Sequence, residues 1–145
     1  MLSVVLLAAI LLALTVAVHS AGMVALLRWV RRGHGEIDVA YWQQIWLLVR
    51  LAWALLATHL VEIAIWAIFY WWRGCLPDLE SAIYFAGVTY TTVGYGDVVL
   101  PQAWRLMGPL EGLTGILMCG LSTGFFFAVV ARLYSALNAA ASDAR

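Results

Sequence analysis

The chain contains no lysine. All eight basic residues are Arg, eight Asp and Glu offset them, and the formal net charge is zero. That balance gives no ground for a nucleic-acid partner, which calls for an excess of positive charge. Charge of either sign is scarce, at 11% of 145 residues, while 65% are hydrophobic. Such a composition lies far outside that of soluble domains and puts the chain, one domain's length, in the membrane class with the lipid bilayer as its partner. Cysteine is sparse: Cys75 falls in a loop and Cys119 inside an apolar run, so no internal disulfide framework is expected. Also missing are a nucleophile–base arrangement, a phosphate-binding loop, repeats and low-complexity tracts, so neither an enzyme nor an organic cofactor is expected.

What is present is apolar length. Leu2 to Val30 is interrupted only by Ser3, Thr15, His19, Ser20 and Arg28, enough to cross a hydrocarbon core about 30 Å thick. Val18-His19-Ser20 before Ala21 resembles a signal-peptide cleavage site, but no basic residue precedes the run, so a retained span is expected. Arg28, Arg31 and Arg32 mark its cytoplasmic end and put the N-terminus outside. A voltage sensor needs several gating charges on one helix of a larger bundle, so these arginines read as an anchor. After the Gly33-His34-Gly35 break, Glu36 to Trp46 has helical spacing, either as an interfacial helix or as the start of the next span. Leu51 to Trp72 is the second span and ends in an aromatic belt, Phe69-Tyr70-Trp71-Trp72. Leu79 to Tyr90, at about 18 Å, is too short to cross and is expected to be re-entrant, capped by Asp78. Trp104 to Tyr134 is the third span, with Pro109 tolerated near its start.

Between the short helix and the third span lies Thr91-Thr92-Val93-Gly94-Tyr95-Gly96-Asp97. An ordinary strand alternates the sides of its carbonyls. Aiming them all at one axis requires some residues at positive φ, which Gly94 and Gly96 can adopt without a Cβ clash. The carbonyls of Thr92, Val93, Gly94 and Tyr95, with the Thr92 hydroxyl, would then replace a cation's water shell. Val93 and Tyr95 would pack the strand from behind, and Asp97 would stand at the outer mouth. One loop supplies only part of each cage, so several chains in cyclic symmetry are expected.

Tyr84-Phe85-Ala86-Gly87-Val88-Thr89-Tyr90 followed by this loop resembles the pore helix and selectivity filter of tetrameric potassium channels, over roughly Leu51 to Tyr134. The resemblance implies an all-α membrane protein, with three transmembrane helices per chain, a re-entrant pore helix and a filter loop, assembled as a homotetramer. It implies K+ bound along Thr92, Val93, Gly94, Tyr95 and Gly96. Tyr84 stands where a Trp is common and can donate to Asp97. Val88 stands where some bacterial members carry a Glu, and cannot make that bond. Gly115 matches the family's hinge position if one residue is dropped after the filter; close helix packing through its many glycines is the other reading of this span. The expected division is residues 1–35 as an extra N-terminal helix and basic loop, 36–137 as the pore domain, and 138–145 as a short cytoplasmic tail. Within the pore domain the outer helix covers 41–72, the pore helix 79–90, the filter 91–97 and the inner helix 104–135. The expected location is the cell membrane, a bacterial inner membrane by the resemblance, with the C-terminus cytoplasmic.

Ile116, Cys119, Thr123 and Phe127 recur on one face of the third span, the face expected to line a cavity, with Phe127 placed to gate by dewetting. His59 and Glu62 are three apart on the second span. They read either as a mutually satisfied polar pair or as a proton sensor, with Glu111 as a third buried acid bonded to the back of the pore helix or titrating beside it. Two ligands are too few for a closed zinc site. Passive potassium conduction is the expected function. The alternatives are a non-conducting regulatory or assembly subunit and a subunit of a cation transporter.

Overall fold

Residues 2–33 and 41–143 are described in the computed structural model. Four α-helices and one 3-10 turn make up the fold: α1 (Leu2–Gly33), α2 (Tyr41–Trp72), α3 (Leu79–Tyr90), the 3-10 turn Gln102–Trp104, and α4 (Met107–Asp143). Among the described residues there is no strand. Three helices are long and apolar enough to cross a membrane: Ser3–Arg32, Tyr41–Trp72 and Met107–Ser135. This is an all-α membrane protein. The break expected at His34-Gly35, and the start of the segment expected from Glu36, lie outside the described residues. Tyr41 to Trp46 form the first turns of α2 rather than a separate element.

Helices α1 and α2 run antiparallel, locked by rungs of small or polar side chains. Near one end Ala8 and Leu11 share a core with Trp66, Phe69 and Tyr70. Next, Thr15 Oγ1 donates to Leu11 O at 2.8 Å and accepts from Trp66 Nε1 at 3.2 Å. Then His19 meets Glu62, and Gly22 faces Thr58, whose Oγ1 would stand 3.1 Å from a Cβ at that glycine. At the far end Leu26 packs on Leu51, Leu55 and Val129. The α1 members, 8, 11, 15, 19, 22 and 26, are three or four apart, which is one helix face. Lipid tails offer no hydrophobic drive between apolar helices, so close approach and interhelical hydrogen bonds hold such a seam.

The turn after α2 folds back through Arg73 N to Phe69 O at 2.9 Å and Cys75 N to Tyr70 O at 2.9 Å. The Arg73 guanidinium lies 5.2 Å from the Trp104 ring, tying this turn to the 3-10 turn before α4. Cys75 is a free, buried thiol at 4% exposure, and burial raises its pKa above the ordinary value. Asp78 caps α3, its Oδ1 accepting from Ser81 N at 2.7 Å. At 12 residues, α3 is about 18 Å long and cannot span. It packs between α2 and α4, with Phe85 edge-on to Tyr70 at 5.3 Å.

The last helix begins at Met107 rather than at position 104, because Gln102–Trp104 close a 3-10 turn through Trp104 N to Pro101 O at 2.8 Å. Pro109 thus falls in the first turn of α4, where its missing N–H leaves no gap. The helix continues to Asp143, beyond position 135, since the alanine-rich segment there has high helix propensity.

Trp66 is fully buried and fills the space between α1 and α2. Trp66→Ala is expected to cost about 3 kcal/mol through the cavity it opens, read as a lower unfolding midpoint of the detergent-solubilised chain.

Candidate functional site

The loop that follows α3 has an alternating backbone. Thr91 closes the helix with its N–H to Gly87 O at 3.1 Å and its Oγ1 to the same oxygen at 2.7 Å. The chain then turns back, Thr92 N bonding Thr89 O at 2.9 Å and Gly94 N bonding Val88 O at 3.0 Å. Positive φ occurs at Thr92 (63°), Gly94 (52°) and Gly96 (78°), every second residue. Alternating the sign of φ turns successive peptide groups toward one side, which a regular strand cannot do. Gly94 and Gly96 were legible as candidates for this. Thr92 was not, because a β-branched residue at positive φ is an outlier costing about 1–3 kcal/mol. Every residue from 91 to 97 is exposed, with Val93 at 51% and Tyr95 at 73%. One chain therefore does not supply the packing expected behind this strand.

A side-chain bond braces the loop against α3. Tyr84 Oη donates to Asp97 Oδ2 at 2.7 Å, and Asp97 Oδ1 accepts from Val98 N at 3.1 Å. The Tyr84 hydroxyl holds the Asp97 carboxyl below the usual carboxylate range, and the same bond raises the tyrosine's own pKa.

Behind the loop, polar side chains from three helices meet around Glu62, which is fully buried. His19 Nδ1 of α1 lies 2.8 Å from Glu62 Oε1. The Tyr90 hydroxyl, at the last residue of α3, donates to Glu62 Oε2. His59 Nδ1 sits 3.4 Å from Glu62 Oε2 and closer, at 2.9 Å, to Tyr90 Oη. The His59–Glu62 pair expected from spacing is thus part of a larger network, and two further partners of Glu62, His19 and Tyr90, were missed. The available signal was an ionisable side chain inside an apolar span, which by default has a partner. With His19 present, the ground for setting aside a metal site, too few ligands, no longer holds.

Glu111 is also fully buried, and the expectation of a bond to the back of α3 needs correction. Its Oε2 accepts from Tyr70 Oη of α2 at 2.7 Å, while Oε1 has no partner among the described residues. Tyr70 thus contacts α4 through Glu111 and α3 through its ring on Phe85.

Along α4, Ile116 (61% exposed), Cys119, Thr123 and Phe127 (71%) are all exposed in the single chain. Thr123 Oγ1 spends its proton on Cys119 O at 2.8 Å. Gly115 is buried, where α4 meets the end of α3. A Cβ there would stand 1.9 Å from the carbonyl oxygen of Tyr90, so only glycine lets α4 approach the end of α3. Gly112 makes a looser approach, 3.5 Å from Thr89 O, whereas a Cβ at Gly120 or Gly124 would meet nothing within 4 Å. Close backbone approach through glycine in α4 is therefore found, within one chain, at Gly112 and Gly115 and not at Gly120 or Gly124.

Two substitutions probe this geometry. Tyr84→Phe removes the bond that depresses the Asp97 pKa. That bond contributes stability above the unfolded carboxylate pKa and loses it as pH falls through the folded one; the variant is expected to protonate Asp97 at higher pH, read from its carboxyl resonance in an NMR titration. Gly115→Ala is expected to cost 2 kcal/mol or more, roughly what overpacking costs, seen as a lower unfolding midpoint with the helix content retained.

A model of the ion channel family matches residues 58–132, more than half of the chain. The matched segment runs from the second half of α2 through α3 and the loop to Arg132 of α4, and leaves α1 outside. No curated protein and no solved structure matches the chain. A short helix, a loop of alternating backbone hand and two flanking apolar helices coincide with the matched segment, and the chain belongs to the ion channel family.

Proposed function

We propose that four copies of this chain surround one pore and conduct K+ passively. The observation that carries the proposal is the positive φ at Thr92, Gly94 and Gly96 within T-V-G-Y-G. In this reading the carbonyls of Thr92, Val93, Gly94 and Tyr95 form successive cation cages, completed by the same loop of three other chains. The exposure of the whole loop in a single chain supports the assembly, since lipid cannot satisfy bare peptide groups. The C-terminal end of α3, with its negative dipole, would stabilise the ion before it enters the cages. At the outer side of the loop, Asp78, Glu80 and Asp97 outnumber Arg73 and Arg105 and would favour cations at the mouth.

Two ions held about 6.6 Å apart repel by about 2.5 kcal/mol at an effective dielectric of 20. That is about four times RT, enough to help an arriving ion displace the one ahead, so tight coordination and rapid exit coexist. Ile116, Cys119 and Thr123 would line the cavity below, and Phe127 would narrow it. The chain would sit in the cell membrane with the arginines of α1 and Arg132 on the cytoplasmic side.

Purified chain in liposomes is expected to pass K+ at least about tenfold faster than Na+, measured as cation flux against an imposed gradient. Equal rates for the two ions would overturn the selectivity. Absence of flux from a correctly assembled particle would favour a non-conducting subunit.

A further inference from the structure

His19, His59 and Glu62 bring their side-chain donor atoms within 4.8 Å of one another. Specific separations are shorter: 2.8 Å from His19 Nδ1 to Glu62 Oε1, and 3.4 Å from His59 Nδ1 to Glu62 Oε2. A tetrahedral zinc ion with bonds of about 2.0–2.1 Å holds its ligand atoms about 3.3 Å apart. Two of the separations, one to each carboxylate oxygen, therefore stand near the edge length of a metal polyhedron, and the His19–His59 separation, within 4.8 Å, would close by side-chain rotation to admit an ion. Two imidazoles and one carboxylate are a fitting ligand set for zinc and its neighbours in the first transition row.

The surroundings fit as well. The Tyr90 hydroxyl bonds to Glu62 and lies 2.9 Å from His59 Nδ1, in place to act as a fourth ligand or to hold a bound water. His19 Nε2 is 3.4 Å from Ser122 Oγ of α4; a metal-bound imidazole is commonly oriented through its far nitrogen in this way. His19 and Glu62 are fully enclosed, and His59 is 15% exposed in the single chain.

We propose that His19, His59 and Glu62 form a binding site for a divalent first-row transition metal ion, with Tyr90 beside it. The ion would pin α1 to α2 and to the last residue of α3. Because the Tyr90 carbonyl faces Gly115, occupancy would also hold α4 at its closest approach. The site does not require that the chain conduct, and its test does not measure conduction.

The full chain, freed of any affinity tag and stripped with chelator in detergent, is titrated with Co2+ and then with Zn2+. The expected result is one Co2+ per chain with the strong visible absorption of four-coordinate nitrogen and oxygen ligation, displaced by Zn2+, and a higher unfolding midpoint with either ion. Glutamine keeps hydrogen-bonding capacity but is a poor ligand, so His19→Gln and His59→Gln are each expected to weaken binding at least about 100-fold while keeping the helical signal. Ser122→Ala is expected to weaken it roughly 10–100-fold with the spectrum unchanged. A folded wild-type chain that takes up no Co2+, one that shows only the faint absorption of six-coordinate Co2+, or binding that survives in the His19→Gln, His59→Gln double variant would each overturn the proposal. Should the variants fail to fold, the wild-type stoichiometry and spectrum decide it.

Discussion

A carboxylate enclosed in an apolar helix bundle sets terms for everything near it. Glu62 is fully buried, and leaving such a group without a partner costs about 3–5 kcal/mol. The fold answers by bringing His19 from α1 and Tyr90 from α3 to its two oxygens, with His59 beside them. None of these helices can shift without breaking the arrangement. Ser122 extends it to α4 through His19. The four α-helices are thus tied at one level by polar side chains, with the Trp66–Thr15 and Tyr70–Glu111 bonds beyond it on one side and the Leu51, Leu55 and Val129 cluster on the other.

The same residue, Tyr90, joins this polar knot to the loop that carries the proposed function. Its side chain bonds Glu62 and its backbone carbonyl rests against Gly115. One residue later the chain leaves α3 and enters the alternating segment. A displacement of α1 would therefore reach the loop through His19, Glu62 and Tyr90, by direct contact at each step. The family match begins at Thr58 and excludes α1, so the partner that completes the Glu62 site comes from outside the family domain. Helix α1 is accordingly more than a membrane anchor: Thr15, His19 and Gly22 dovetail with Trp66, Glu62 and Thr58.

Much of the architecture could be read from residue order because it rests on local physics. Apolar length signals a membrane helix, an Asp before a short run signals a capped one, and glycines at alternate positions signal a backbone that changes hand. Tyr84 reaching Asp97 was also within reach, since the two lie on consecutive elements. Less visible was Thr92 at positive φ, where two backbone hydrogen bonds to α3 outweigh the preference of a β-branched residue. Glu111 went to Tyr70 of α2 rather than to α3, because which helix lies beside α4 at that height depends on how the helices cross.

By itself, residue order determined the class of protein, the three apolar helices, the short helix between the second and third, and the glycines at which the loop changes hand, since each depends on neighbours within a few positions. Only the tertiary structure decided that His19, 43 positions away from Glu62 in the chain, completes its shell, and that Gly115 seats a carbonyl. Hydropathy specifies which segments enter lipid, but lipid exerts no preference among apolar faces. The choice of facing partners was left to a few small and polar side chains whose contacts exist only once the helices have packed.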